Sequence, residues 1–116
     1  MVLVYTEALD LASNRLEARG IKPCRDLRDL NPPGVYLVPG RAVFQLRAAD
    51  VQVIGYLVAA GAGVDPSLGQ LDSMLEQARS ALPVVDAEPA SVQLPAGGDP
   101  VPALRISVNT RVRATT

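Results

Sequence analysis

An alternation of apolar and polar residues from Ala103 to Val112 constrains the fold more than any other feature of the chain. The apolar positions are Leu104, Ile106, Val108 and Val112, and the polar ones are Arg105, Ser107, Asn109, Arg111 and Arg113. Residues two apart in a strand share a face, so this segment predicts a β-strand with one apolar face. A sheet built on such a strand must be covered on that face by a second layer.

Two amphipathic helices are predicted to supply the covering layer. The first runs from Leu3 to Arg19 and ends at Gly20, the expected left-handed terminator. The second begins with Asp65 as N-cap and Pro66 in the first turn, and Pro83 ends it. The predicted apolar stripes are Val4, Ala8, Leu11, Ala12 and Leu16 in the first helix, and Leu68, Leu71, Leu75, Ala78 and Leu82 in the second.

Four further strands complete the predicted sheet: Val35–Val38, Ala42–Arg47, Val51–Ala60 and Val84–Leu94. Pro39-Gly40 is expected to be a turn and residues 48–50 a connection. Residues 21–33 are expected to form an irregular loop, in which Asp26, Arg28 and Asp29 are spaced for local charge pairs. Gly55 predicts a bulge or a close approach within its strand, and Pro89 an edge or a bulge. The predicted fold is α+β: one domain, residues 1–116, with two helices on one face of a mostly antiparallel sheet of about five strands, in the order α-β-β-β-α-β-β.

Composition argues against most chemistry. The net charge is −1, there is no histidine, and Cys24 is the single cysteine, so no zinc site and no Cys–His nucleophile is expected. The acids lack calcium-loop spacing, and the glycines at 61 and 63 lack phosphate-loop spacing. We therefore expect no catalytic residue, no metal, no cofactor and no enzyme. The apolar run Val53–Val64 is too short to span a membrane, and the N-terminus does not have the pattern of a signal peptide.

The polar face of the last strand carries Arg105, Arg111 and Arg113. Three uses are open: a solvated outer face, contact with a neighbouring subunit, and contact with DNA phosphates. Arginine favours subunit contacts because its planar donor fork pairs with carboxylates. The acidic total weakens the phosphate alternative.

Three segments together resemble a known family. They are ALDLASNRLEARGIKPCRDLRDLNPPGVYLVPG, VIGYLVAAGAGVDPSLGQLDSMLEQARSAL and LPAGGDPVPALRISVNTRV. They are similar to the tail terminator proteins of long-tailed (siphovirus-type) actinobacteriophages. The most specific parts are RDLRDLNPPGVYLVPG and LPAGGDPVPALRISV, whereas the helices contribute only their pattern.

The resemblance implies a structural assembly protein of the virion tail or neck, assembled in the host cytoplasm. Such proteins form a homo-hexameric ring that caps the tail tube, stops its polymerisation and meets the head-side connector. The expected partners are therefore other copies of the chain, the major tail tube protein and the connector or stopper protein, with DNA passing only through the lumen. No short motif fixes the interface positions of this family, so we choose the expected interface residues from this chain's own loops and polar strand face: Asp26, Arg28, Asp29, Asn31, Pro32 and Pro33, then Gly97, Gly98 and Asp99, and finally Arg105, Arg111 and Arg113.

Two alternatives remain beside the terminator. A head-completion or stopper protein of the neck would more typically show a small barrel and a long gating loop. A small cytosolic α+β enzyme or ligand-binding domain would show a concave apolar pocket with convergent polar groups. A nucleic-acid-binding module would need a basic stripe, which the sequence lacks.

Overall fold

The computed structural model describes residues 4–30, 32–60, 64–95 and 97–113. Its helices are α1 (Val4–Glu17) and α2 (Val64–Ala81), with a short 3₁₀ helix η1 (Leu27–Asp29). Its strands are β1 (Pro23–Cys24), β2 (Gly34–Phe44), β3 (Ala48–Val58), β4 (Val84–Val92) and β5 (Val101–Arg113). Within the described residues these strands form one sheet in the order β1-β2-β3-β5-β4. Because every neighbouring pair except β1–β2 is antiparallel, the predicted α+β class is confirmed.

The ladder between β3 and β5 is the backbone of the sheet. It runs without a register shift from the pair Ala48–Arg113 to the pair Val58–Ala103. Each strand of this ladder is also half of another antiparallel pair, β2–β3 on one side and β4–β5 on the other. The β2–β3 hairpin turns through residues 45–47, where the Gln45 amide donates to the Ala48 carbonyl at 2.8 Å.

The core lies between the sheet and the two α-helices. Cross-strand pairs share a face, and the pairs Val35–Leu57, Gly55–Ile106 and Val53–Val108 fix which face is apolar. Buried residues of both helices, with Leu82 just after α2, join that face in one cluster: Ala8, Ala12, Leu16, Leu71, Ala78 and Leu82. The largest fully buried side chains are all Leu, Ile or Val. Each is worth about 1.5–3 kcal/mol on burial, so this aliphatic contact holds the two layers together.

The boundaries of the first two predicted strands are wrong. Val35–Val38 and the first part of Ala42–Arg47, as far as Phe44, belong to one strand, β2, whereas residues 45–47 form the hairpin turn and residues 48–50 belong to β3 rather than to a connection. Pro39-Gly40 is not a turn but the site of a register shift between Pro39 and Ala42. A Cβ on Gly40 would lie 2.8–2.9 Å from atoms of Gln52. Gly40 is therefore required by close packing across the hairpin. Pro39 has no backbone N–H to donate, and this is tolerated because the strand pairing is irregular at that point.

The loop between α1 and β2 contains a strand that the sequence does not reveal. Pro23 and Cys24 pair in parallel with Val35 and Tyr36, which places β2 second in the sheet rather than at its edge. A two-residue strand has no periodicity to detect. The predicted count of five strands thus agrees with the described sheet only because two predicted strands merge and β1 is added.

The helices largely follow the prediction. Gly20 has φ 82°, as expected of a left-handed terminator, and α2 ends at Ala81, just before Pro83. The predicted N-cap is displaced, because α2 begins at Val64 and so Asp65 lies inside its first turn. Leu68 is exposed, unlike the rest of its predicted stripe, since spacing identifies a helix face but not how far the opposing layer extends. Leu3, Asn31 and the glycine-rich residues 61–63 lie outside the described residues.

Two strand predictions are resolved by the packing. Gly55 marks a close approach: a Cβ there would lie 3.1 Å from Ile106 Cγ1, while the register on both sides of β3 continues through it. Pro89 lies in β4, the outermost strand on its side of the described sheet, as predicted for an edge. Among the described helices, none is long and apolar enough to cross a bilayer.

Candidate interaction surface

The face of the sheet opposite the α-helices, here called the open face, carries the predicted arginines. One cross-strand row contains Tyr36, Tyr56, Arg105 and Glu88. The two tyrosine rings stack with centroids 6.2 Å apart, and Arg105 Nη1 lies 3.2 Å from Glu88 Oε1. An aromatic pair beside an arginine has the composition that protein interfaces favour.

The next row of the open face contains Val38, Ile54, Ser107 and Asp86. Ser107 is buried, and Gln52 Nε2 donates to its Oγ at 3.2 Å. This hydrogen bond links β3 to β5 and satisfies a hydroxyl that would otherwise be costly to bury. The row therefore combines two half-buried aliphatic side chains with a fixed polar contact.

Arg111 and Arg113 lie at the far end of β5 on the same face. Arg111 Nη2 donates to Gln45 Oε1 at 2.8 Å, and its Nε lies 3.9 Å from Asp50 Oδ1. Arg113 is exposed and makes no ion pair within 4.0 Å among the described residues. The prediction that the three arginines lie opposite the apolar ladder is confirmed. Two of them already have acceptors within the chain.

The loop before β2 is held by a local charge pair, as its Asp and Arg spacing predicts. Asp26 caps η1: its Oδ1 accepts from the Arg28 amide at 3.0 Å, and its Oδ2 accepts from Arg28 Nη2 at 2.9 Å. These hydrogen bonds from the Arg28 side chain and amide lower the pKa of the Asp26 carboxyl. Asp29 and Pro33 are exposed and Pro32 is half-buried.

Two of the three predicted interface segments meet at one end of the sheet. Leu27 and Leu30 of the loop pack against a small buried cluster of Val58, Val92 and Ala103. Leu94 and Val101, which flank the connection containing Gly97, Gly98 and Asp99, pack against the same cluster. In that connection Gly97 and Gly98 have φ near +90°, and Gln93 Nε2 donates to the Gly98 carbonyl at 2.9 Å.

The arginine end of β5 is not part of this group. Eight residues separate Ala103 from Arg111, which is about 26 Å at roughly 3.3 Å per strand residue. Arg105 lies near the end of the sheet that carries the small buried cluster, whereas Arg111 and Arg113 lie beside the β2–β3 hairpin. The predicted residues therefore occupy two separate ends of one face.

The end of the β2–β3 hairpin, here called the hairpin end, carries exposed apolar residues that were not predicted from the sequence. Val43, Phe44 and Leu46 are all exposed, and Arg41 and Arg47 flank them. A shallow depression of about 480 Å³ lies beside them, lined by Arg41, Val43, Asp50, Gln52 and Asn109. The signal available in the sequence was the imperfect alternation from Ala42 to Arg47, which left no inward face to assign.

A larger cavity of about 730 Å³ lies near the end of α1. Its lining includes Ile21, Lys22, Cys24, Asp29, Met74 and Gln77. Burial raises the pKa of the Cys24 thiol, and the negative charges of Asp29 and Asp26 raise it further. The thiol is thus kept in its neutral, less nucleophilic form.

Among the described residues, no group of three or more His, Cys, Asp or Glu side chains is placed to hold a metal ion. The sequence matches no protein-family model, and no curated protein matches it. Fold and surface together define an α+β domain in which three of the exposed large apolar side chains, Val43, Phe44 and Leu46, lie together on the β2–β3 hairpin.

Proposed function

We propose that this protein is a phage tail terminator, a structural assembly protein that forms a hexameric ring on the end of the tail tube. The observation that carries the proposal is the hairpin end. Val43, Phe44 and Leu46 lie exposed within four residues, while the core behind them is closed and aliphatic. Clustered exposed apolar side chains mark interaction sites in proteins that are otherwise well packed.

The distribution of surfaces supports assembly through unlike contacts. One end of the open face offers the loop 25–33 and the connection 93–100, and the other offers the hairpin with Arg111 and Arg113. Two different patches on one chain allow each copy to bind the next head to tail, and such contacts close into a ring when the rotation permits. The resemblance of the sequence to tail terminators suggests six copies, the tube below, the head-side connector above and DNA passing through the lumen.

The open sheet also favours the terminator over a stopper, the nearest alternative in the neck. The described strands form a layer with two separate edges, β1 and β4, rather than the small barrel expected of a stopper. Two α-helices cover one face of that layer.

The test is the mass of the purified protein in solution, with and without its cognate major tail tube protein. We expect hexamers, in solution or on the tube, and binding at the tube's end that stops its growth. A chain that stays monomeric and does not bind the tube would contradict the proposal.

A charge reversal at Arg111 tests whether the open face takes part. Arg111→Glu should weaken ring formation, because it removes the Gln45 contact and places a carboxylate beside Asp50. Arg79→Glu is the matched control, since Arg79 is also exposed but lies on α2, away from the open face. If both variants assemble equally well and their circular dichroism is unchanged, the arginine face is a solvated outer surface and not a subunit contact.

The 730 Å³ cavity favours a second candidate, a small ligand-binding domain. Its test is saturable binding of the dye 8-anilinonaphthalene-1-sulfonate. If the cavity is a binding site, Met74→Arg should abolish that binding while leaving the melting temperature within the range of other surface variants. Dye binding that is absent, or is unaffected by Met74→Arg, excludes this candidate.

A further inference from the structure

We propose that the hairpin end of one copy docks on the outer edge of β4 in the next copy. The hairpin end is defined by Arg41, Val43, Phe44, Leu46 and Arg47, and the β4 edge by Val85, Asp86 and Glu88. The inference rests on the proposed function, because it names the subunit contact of the proposed ring. The partner is therefore a second copy of this chain.

The apolar side chains of the hairpin end are exposed to an unusual degree. Leu46 is 93% exposed, Phe44 64% and Val43 50%. Val43 pairs with Asp50 and Phe44 with Ala49, so these adjacent side chains lie on opposite faces and the apolar surface wraps around the tip. Contact with another surface would remove all three from water, at about 25 cal/mol for each Å² of apolar area covered.

The charge of the hairpin end selects an acidic partner. Arg41, Arg47 and Arg113 are exposed, and none lies within 4.0 Å of an acid among the residues that the structure describes. Among the described residues, the acid closest to these arginines in the strand register is Asp50, and its carboxylate already lies 3.9 Å from Arg111 Nε. A second hairpin end would bring arginines against arginines, which disfavours a symmetric hairpin–hairpin contact.

The β4 edge complements the hairpin end both in its exposed apolar side chain and in its charge. The register skips from Val84 to Asp86, so Val85 is the extra residue of a bulge and has no partner on β5. Bulges re-aim side chains, and Val85 is 61% exposed. Asp86 beside it is exposed and makes no ion pair within 4.0 Å among the described residues, whereas the exposed Glu88, two residues later, already pairs with Arg105 at 3.2 Å. An apolar side chain next to the free carboxylate of Asp86 thus complements an apolar tip flanked by guanidinium groups.

The same edge disfavours simple strand addition. Pro89 removes a backbone donor, and the bulge interrupts the regular spacing of the others. The contact is therefore made by side chains. Because the two patches are different, every copy can use both at once, which is the requirement for a closed ring.

Site-directed cross-linking tests the contact directly. In a Cys24→Ser background, Leu46→Cys is prepared as one chain and Val85→Cys as a second chain with a tag that changes its size. The two are mixed with a short bis-maleimide, with and without the tail tube protein. We expect a covalent heterodimer of the two sizes. The matched control replaces Val85→Cys by Ser73→Cys, an exposed position on α2.

Charge reversal supplies the second measurement. Arg41→Glu with Arg47→Glu on the Leu46→Cys chain should lower the cross-linking yield at least about tenfold, equivalent to about 1.4 kcal/mol. Asp86→Arg on the Val85→Cys chain should then restore part of the yield, and Glu88 is left unchanged because it already pairs with Arg105. Restoration separates a direct charge contact from a general loss of folding.

Two results would overturn the inference: a yield no higher than that of the Ser73→Cys control under both conditions, or a yield insensitive to charge reversal. The outcome is distinguishable from that for the proposed function. Tube capping without the cross-link rejects this contact but keeps the terminator, whereas the cross-link without tube binding keeps the contact and rejects the terminator.

Discussion

Gly55 and Gly69 allow one substitution, glycine to alanine, to be tested in two opposite environments. Gly55 lies in β3 at the centre of the sheet, and Gly69 lies on the exposed surface of α2. Replacing glycine by alanine reduces the conformational freedom of the unfolded chain, which favours folding by about 0.5–1 kcal/mol where the new methyl group fits. The local packing therefore decides the sign.

At Gly55 the methyl group does not fit without movement. It would lie 3.1 Å from Ile106 Cγ1, 3.3 Å from Ile106 Cδ1 and 3.4 Å from Leu37 Cδ2. Both neighbours are fully buried, and the β-branched Ile106 is stiff at χ1. Overpacking of this kind costs about 1–3 kcal/mol, so we expect Gly55→Ala to lose about 1 kcal/mol net. At roughly 2.1 cal/mol/K of unfolding entropy per residue, that lowers the melting temperature by about 4 °C.

At Gly69 no described atom other than the adjoining helix backbone lies within 4 Å of the position that a Cβ would occupy. Gly69→Ala should therefore stabilise the protein by about 0.5–1 kcal/mol and raise the melting temperature by about 2–4 °C. The assay is urea unfolding followed by far-ultraviolet circular dichroism at one fixed protein concentration, with the slope m compared between variants. A Gly55→Ala variant as stable as the parent would show that Ile106 and Leu37 relax freely, and would refute the packing argument.

Three further predictions concern the core, the loop and the thiol. Leu57→Ala should cost about 2–5 kcal/mol in urea unfolding, because Leu57 is fully buried in the central ladder; a loss under about 1 kcal/mol would mean that the core collapses around the gap. Arg28→Ala should raise the pKa of Asp26 towards its ordinary value in a carboxyl NMR titration, and an unchanged pKa would contradict the observed pair. Because its pKa is lowered in the fold, Asp26 stabilises the protein at pH values above the unfolded carboxyl pKa of about 3.9. This stabilisation disappears as the pH falls through the pKa of Asp26 in the folded protein. Alkylation of Cys24 by iodoacetamide should have a pH midpoint above that of a cysteine peptide, since burial and then Asp29 and Asp26 raise its pKa; an equal or lower midpoint would contradict this environment.

The parts of the fold that were predictable are those with a repeated physical pattern. The alternation around Ile106 and Val108 and the seam through Leu71 and Ala78 correctly identified β5, α2 and the buried layer between them. Gly20 and Pro83 marked helix ends because glycine readily adopts a left-handed φ and proline cannot continue a helix, and both effects act locally. These signals require no knowledge of distant residues.

The errors lie where the decisive partner is remote in sequence. Pro39-Gly40 has the composition of a turn, but contact with Gln52 across the hairpin keeps it in a strand. β1 exists because Pro23 and Cys24 meet Val35 and Tyr36, which no local pattern shows. The bulge that exposes Val85 likewise depends on the register with β5, so half of the proposed subunit contact was not visible in the sequence.

For the candidate surface, sequence reasoning placed the arginines on the correct face but not their acceptors. Glu88 and Asp50 are brought to Arg105 and Arg111 by cross-strand register, at separations of 17 and 61 residues. The Asp26–Arg28 pair was predictable since the two residues are neighbours in one short turn. Spacing thus identified the local pair, and the sheet determined the others.

The uninterrupted β3–β5 ladder has a consequence for how the chain folds. The β2–β3 and β4–β5 pairs join strands that are close in sequence, whereas the central ladder joins Val58 to Ala103 and Ala48 to Arg113 across the whole of α2. Closing so long a loop costs entropy before its contacts form, which slows folding. During synthesis, the apolar strand β3 keeps one unpaired edge until residues 101–113 have emerged from the ribosome. We therefore expect the two hairpins to form early and the ladder between them to be the slow step, during which β3 is open to concentration-dependent pairing with another chain.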